Sequence, residues 1–146
     1  KYVTKSGKTL YGGGGITPDV IVKQPDLYND EHAKFFLAHL HSFTFEYTDV
    51  NRYNLQNKYK NSQDFISNFE ITPQLWQEYM SFIKNAIDKD VQTSSANLSL
   101  SNRTYINTLL KAGIGRNLYD YDCYYSIIRE ADEMLIEAIK YLKTAK

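Results

Sequence analysis

The glycine run at residues 12–15 constrains the fold of this chain more than any other feature. Glycine costs a helix about 1 kcal/mol per residue relative to alanine, so the run excludes a helix there, and it offers no side chains to a core. Short β-like segments flank it at residues 2–4, 8–11 and 19–23. Because Gly7 supplies the positive φ that a tight turn requires, the first two segments are predicted to form a hairpin.

Beyond Tyr28 the chain is predicted to be helical. From Asp30 the apolar period changes from two residues to about 3.6, which is typical of an amphipathic helix. Asp30 is a suitable N-cap, and the first helix is predicted to run to about Tyr59. Its apolar residues form one stripe: Phe36, Leu40, Phe43, Tyr47 and Val50.

Two further helices are predicted before a polar loop at residues 91–100. Ser62 begins a short one, and Thr72-Pro73 begins a longer one, because a hydroxyl N-cap followed by proline is a strong start signal. The longer helix has an apolar face broad enough to pack on two neighbours or to lie in a groove. Its two apolar rows are Trp76, Met80, Ile83 and Ile87, and Leu75, Tyr79 and Phe82.

A fourth helix is predicted to begin near Ser101, and a last one to cover residues 131–143. Gly113 and Gly115 weaken the fourth helix, and such glycines often permit another segment to approach closely. The sequence leaves open whether residues 119–129 continue this helix or break it. The predicted fold is therefore mainly α: a small bundle of four to five helices, preceded by a short β-hairpin or extended arm.

Composition excludes several classes of function. Seventeen basic and seventeen acidic residues give a net charge of zero, which argues against a general nucleic-acid or anionic-membrane binder. The apolar runs are far shorter than the roughly 20 residues that span a bilayer. Cys123 is the single cysteine and cannot form an internal disulfide. Since the chain opens inside a predicted strand, we expect it to be a piece of a longer protein.

A phosphate-binding loop is suggested by Ser6-Gly7-Lys8-Thr9 but fails on context. Such a loop needs a glycine five residues before its Gly-Lys-Thr ending and a helix directly after it. Tyr2 stands at the first position, and further glycines follow instead of a helix. A nucleotide-binding enzyme is therefore disfavoured.

A metal site and a catalytic site are likewise not supported. On a helix His39 and His41 point to different faces, and His32 lies two turns before His39, so we expect no metal ligands and no cofactor. No Ser/His/Asp, Cys/His or Ser/Lys arrangement is supported by spacing, so no catalytic residue is assigned. The late tyrosines lack the positive channel that a base-stacking platform needs and are interpreted as half-buried core or interface: Tyr119, Tyr121, Tyr124 and Tyr125.

The opening stretch resembles a segment of the carboxy-terminal processing (tail-specific) serine peptidases. The similarity lies in a strand-turn, Tyr2-Val3-Thr4-Lys5-Ser6-Gly7-Lys8, and in the glycine-rich exit Tyr11-Gly12-Gly13-Gly14-Gly15-Ile16-Thr17-Pro18-Asp19, which is similar to the Bacteroidetes-type members. A late segment, residues 109–119, also resembles these proteins. Lys5 stands where the family often has Pro, Lys8 where it usually has Arg, and Gly115 where Ala is common, which predicts a looser helix at Gly115.

This resemblance implies a domain organisation and a function. Residues 1–25 would be the terminal strands of a crotonase-like α/β protease domain with its connector, and residues 26–146 a helical C-terminal domain. The nucleophilic serine, the general-base lysine and the peptide-binding PDZ domain would all lie upstream, so the chain alone is expected to be inactive. The resemblance places the parent enzyme in the bacterial periplasm or cell envelope. The alternative is an independent helical interaction module with a flexible β arm.

Overall fold

The predicted hairpin is present in a computed structural model. The strands β1 (Tyr2–Val3) and β2 (Thr9–Leu10) pair antiparallel, with Tyr2 opposite Leu10. Gly7 has a φ of 82°, and its amide donates to the carbonyl of Thr4 at 2.9 Å. The structure describes residues 2–7, 9–10, 20–22, 30–86 and 98–144, so the glycine run, the connector at residues 23–29 and most of the predicted polar loop lie outside it.

The rest of the described chain is mainly α, as predicted. The six helices in this part of the chain exceed the predicted four to five, because the segment that the sequence left open contains a separate helix at Tyr121–Glu130. The helices are α1 (Glu31–Lys58), α2 (Ser62–Asn68), α3 (Pro73–Ala86), α4 (Leu100–Leu118), α5 (Tyr121–Glu130) and α6 (Glu133–Thr144).

Side-chain caps explain where these helices begin. The Asp30 carboxylate accepts from the Ala33 amide at 3.2 Å, and the Thr72 hydroxyl accepts from the Leu75 amide at 3.2 Å, as the sequence predicted. The short helix is capped by Asn61, one residue before the predicted Ser62.

The break between α4 and α5, which the sequence left open, has the same cause. The Asp120 carboxylate accepts from the Cys123 amide at 2.8 Å, so Asp120 is the N-cap of a new helix. The Ser99 hydroxyl caps α4 by accepting from the Asn102 amide at 3.1 Å. Both helix starts therefore come from short polar side chains that compete with helix continuation.

An aromatic cluster joins α1 to α3. Phe36 stacks on Trp76 with ring centroids 5.8 Å apart, and Phe43 lies 4.8 Å from the Tyr79 ring. The Tyr79 hydroxyl is buried and donates to the carbonyl of Phe36. α1 is therefore one of the neighbours that pack on the broad apolar face of α3.

The predicted stripe of α1 is wrong at its C-terminal end. Val50 is 78% exposed, whereas Leu55 and Tyr59 are buried. The buried side of α1 also includes two polar residues, which an apolar pattern cannot identify. Thr44 and Thr48 are fully buried, and the Thr48 hydroxyl donates to the carbonyl of Thr44 at 2.6 Å.

The two glycines of α4 permit close approach, as predicted. A Cβ built at Gly113 would lie 2.9 Å from Oγ1 and Cγ2 of Thr44, so α1 and α4 touch there with no room for a larger residue. A Cβ at Gly115 would lie 2.8 Å from Sγ of Cys123. The looser helix predicted at Gly115 is not found, because α4 is continuous there and Gly115 is buried.

Candidate functional site

The segment at residues 109–119, which carries the later part of the resemblance, is the packing centre of the helical body. The Lys111 Nζ donates to the carbonyl of Ile66 at 2.6 Å, and the Tyr119 hydroxyl donates to the carbonyl of Tyr59 at 2.9 Å. Burial lowers the pKa of Lys111 and raises that of Tyr119. These polar side chains hold α2 and the end of α1 against α4, which is a structural role.

Cys123 is buried at the contact between α4 and α5. Desolvation, followed by the charge of Asp120, raises the pKa of its thiol to about 11, although Lys111 acts in the opposite direction. The thiolate is the nucleophilic form of cysteine, so a thiol that stays protonated at neutral pH is unreactive. Cys123 fills space beside Gly115.

The histidines do not meet. His39 is half-buried with its ring 5.2 Å from the Phe35 ring, and His41 is exposed. The side chain of His32 lies outside the description. Within residues 2–7, 9–10, 20–22, 30–86 and 98–144, no group of three or more His, Cys, Asp or Glu residues could hold a metal ion.

The segment Ser6-Gly7-Lys8-Thr9, whose context argues against a phosphate-binding loop, lies in the hairpin at the positions that the structure describes. Ser6 and Gly7 form the hairpin turn, and Thr9 is already in β2. Ser6, Gly7 and Thr9 are therefore in a hairpin, whereas a phosphate site of this kind is built on a helix N-terminus.

The late tyrosines divide into two pairs. Tyr119 and Tyr124 are half-buried, as predicted for core or interface residues, whereas Tyr121 and Tyr125 are exposed. The exposed rings stack at 6.2 Å, and the Arg116 guanidinium lies 5.7 Å from the Tyr121 ring centroid. This contact ties the start of α5 to the end of α4.

An open groove between α1 and α3 is the first surface that could receive a partner. Its volume is about 520 Å³, and Phe43, Tyr47, Val50 and Phe82 supply its apolar part. Glu46 and Glu78 add two carboxylates, and five uncharged polar residues complete the lining. Burial, followed by the charge of Glu78, raises the pKa of Tyr47. None of the described lining residues is basic, so the α1–α3 groove is apolar with an acidic border.

The apolar face of α6 is the second such surface. Leu135, Ala138, Ile139 and Leu142 have the i, i+3, i+4, i+7 spacing of one helix face. Leu135 is half-buried and the other three are exposed, with Leu142 at 73%. An amphipathic helix obtains most of its stability by burying such a face, so this one is suited to a partner.

The opposite side of α6 faces the N-terminal arm. Residues 20–22 and four residues of α6 line a shared cavity of about 490 Å³; those of α6 are Glu133, Ile136, Glu137 and Lys140. Residues 20–22 are not part of a described strand, although the sequence predicts an extended segment there. Residues 20–22 therefore lie beside the polar side of α6, and Ala138, Ile139 and Leu142 on its apolar face are exposed.

The sequence predicts the apolar residues of both surfaces but does not show that they stay uncovered. The apolar residues of the α1–α3 groove belong to the predicted stripe of α1 and to a predicted apolar row of α3, and only the pairing of the two helices shows that they leave a gap. The apolar periodicity of α6 was recognised, but periodicity cannot show that a face stays uncovered.

These features define a mainly α domain with two uncovered apolar surfaces and, in the described part of the chain, no helix long and apolar enough to cross a membrane. The chain belongs to a family of unknown function (DUF8443), whose match covers residues 38–120, more than half of its length. No curated protein and no solved structure matches it significantly. The matched span runs from within α1 to the cap of α5 and excludes the glycine-rich opening.

Proposed function

We propose that this chain is the C-terminal portion of a bacterial tail-specific serine endopeptidase, with a docking role for the helical domain and no catalytic residues of its own. The β-hairpin carries the proposal. Each strand has two residues, and Tyr2 and Val3 are 69% and 66% exposed. An isolated two-stranded hairpin is marginally stable in water, so these strands fit best as part of a larger sheet.

The sequence of the hairpin supports the same sheet. Its strand-turn and the Gly-Ile-x-Pro-Asp exit are the residues that resemble the end of the crotonase-like protease domain. Unpaired strand edges are templates for pairing with further strands. In this proposal the missing strands belong to the upstream protease domain of the same polypeptide.

The hydroxyl and lysine groups of the hairpin are poor candidates for catalysis. Ser6 is exposed and its hydroxyl lies 3.0 Å from that of Thr4, and Lys5 is exposed. A Ser–Lys mechanism needs a lysine kept neutral by burial so that it can deprotonate the serine. The proposal therefore places the nucleophile, the general base and the PDZ domain upstream, and the parent enzyme in the cell envelope.

The helical domain would dock through its uncovered surfaces. Its partners would be the upstream protease domain and PDZ domain, or a second copy of the chain, and it would meet protein substrates only through the parent enzyme. No nucleic acid partner is proposed, because the chain has no net charge.

Two measurements test the proposal. We expect the purified chain not to hydrolyse a disordered protein such as casein, and we expect Ser6→Ala to leave that result unchanged. Robust cleavage that a serine-directed inhibitor blocks would overturn the claim of inactivity. The sequence upstream of Lys1 tests the parentage, since a Gly-Lys-Gly-x-x-Gln segment there supports the peptidase.

Absence of that upstream segment would favour the second candidate, an independent helical interaction module with a β arm. The observation behind this candidate is the exposed face of α6 together with the α1–α3 groove, since both suit binding whatever precedes the chain.

A further inference from the structure

The two uncovered surfaces match each other in length. The apolar face of α6 runs from Leu135 to Leu142, and the apolar side of the groove on α1 runs from Phe43 to Val50. In each case the two ends are seven positions apart, which is about 10 Å of helix at a rise of about 1.5 Å per residue. Laying the apolar face of a helix in an apolar groove is a recurring mode of recognition.

Their charges are complementary as well. On a helical wheel Lys143 borders the apolar face of α6, whereas Glu133 and Glu137 lie on the opposite side. The groove contributes Glu46 and Glu78, and its described lining has no basic residue. A helix entering the groove with the apolar face of α6 inward would bring lysine, and not glutamate, to the acidic border.

We propose that α6 of one copy of this chain docks in the α1–α3 groove of a second copy. Within one copy α6 does not occupy the groove, since its polar side lies beside residues 20–22 and its apolar face is exposed. Both halves of the interface are present in every chain, so two copies satisfy each other by reciprocal exchange. This closes a two-fold dimer with two identical contacts, which is the commonest symmetry of soluble oligomers.

The inference makes the partner of the proposed docking role specific. It rests on the docking part of the proposed function and is independent of the peptidase parentage. The cleavage assay and the upstream sequence test the parentage, whereas the association state of the chain tests the dimer, so the two can fail separately.

Sedimentation equilibrium of the 146-residue chain, from about micromolar to millimolar concentration, measures the association. We expect a monomer–dimer equilibrium in which Leu142→Lys, on α6, and Val50→Lys, in the groove, each raise the dissociation constant about tenfold or more. Both side chains are highly exposed in the single copy, so neither substitution should disturb the fold. Tyr53→Lys is the matched control: it is as exposed as Val50, lies on the same helix and does not line the groove.

Mixing the two variants tests the reciprocal geometry. A pair of Val50→Lys chains, or of Leu142→Lys chains, has both contacts damaged. A mixed pair keeps one intact contact, with α6 of the Val50→Lys chain in the groove of the Leu142→Lys chain. We therefore expect the mixture to associate more tightly than either variant alone.

Charge exchange gives an independent readout. Glu78→Lys or Lys143→Glu alone should weaken the dimer, and the two together in one chain should restore part of the affinity at low salt. A chain that stays monomeric to millimolar concentration, a dimer that neither lysine variant weakens, or a mixture with no rescue would overturn the proposal. The first result would leave α6 and the groove to bind other domains.

Discussion

α4 and α6 are both helices with recurring apolar residues, yet they have opposite positions in the protein. α4 contacts neighbours on several sides, and its buried residues include Leu110, Gly113 and Ile114. α6 has a cleaner apolar face but no buried residue. The comparison shows that apolar periodicity locates a face without showing what covers it. Small residues that permit close approach, such as Gly113, report contact more directly.

The largest loss of stability is expected from a substitution at the centre of α4. Leu110→Ala removes a fully buried side chain and leaves a cavity, so we expect the free energy of unfolding to fall by about 2–5 kcal/mol. Urea denaturation followed by circular dichroism measures this change. An effect below about 1 kcal/mol would show that α4 is not the packing centre.

Gly113→Val tests the close approach of α4 to α1 and should cost about 1–3 kcal/mol. The new Cβ would meet Thr44 at 2.9 Å, and the branched side chain adds further overpacking. The matched control is Thr44→Ala, which makes room on the facing helix. In a double-mutant cycle, the second substitution should recover part of the loss caused by the first. Simple additivity would contradict a direct contact between these positions.

The sequence predicted some of the helix starts correctly, but it did not predict every buried position of the core. Asp30 and Thr72-Pro73 gave correct helix starts, because capping depends on residues next to each other in the chain. The core positions of Thr44 and Thr48 could not be predicted, since a polar side chain is buried only where a neighbour comes close. The exposure of Val50 could not be predicted either, since an apolar residue of a predicted stripe stays exposed where no neighbour covers it.

The candidate surfaces were less predictable than the fold. The groove depends on the gap that α1 and α3 leave between Val50 and Phe82, and no local pattern encodes a gap. The start of α5 was different, because Asp120 is a recognisable N-cap that could have been identified before the structure.

Alkaline pH should weaken the core around α4. The pKa of the Cys123 thiol is raised from 9.0 to about 11 in the folded protein. Below about pH 9 the thiol is protonated in both states and the effect is constant. Between pH 9.0 and about pH 11 the thiol ionises in the unfolded chain but stays protonated in the folded protein. The free energy of unfolding therefore falls with rising pH, by roughly 1–3 kcal/mol in all.

Cys123→Ala isolates this contribution. Burial also raises the pKa of Tyr79, so the wild type loses stability at high pH for more than one reason. The difference between wild type and variant, measured by urea denaturation from pH 7 to 11, should shrink as pH rises. A difference that is constant with pH would show that the thiol ionises equally in both states.

The smallest effect is expected on α6. Leu142→Ala should change the free energy of unfolding by no more than about 0.5 kcal/mol in dilute solution, because the side chain is 73% exposed. If α6 docks in the groove of a second copy, the cost should grow with protein concentration, since association stabilises only the folded state. Ser126→Ala, on α5, should show no such concentration dependence. A large cost for Leu142→Ala in the monomer would instead mean that this face is covered within one copy, and the contrast between α4 and α6 would disappear.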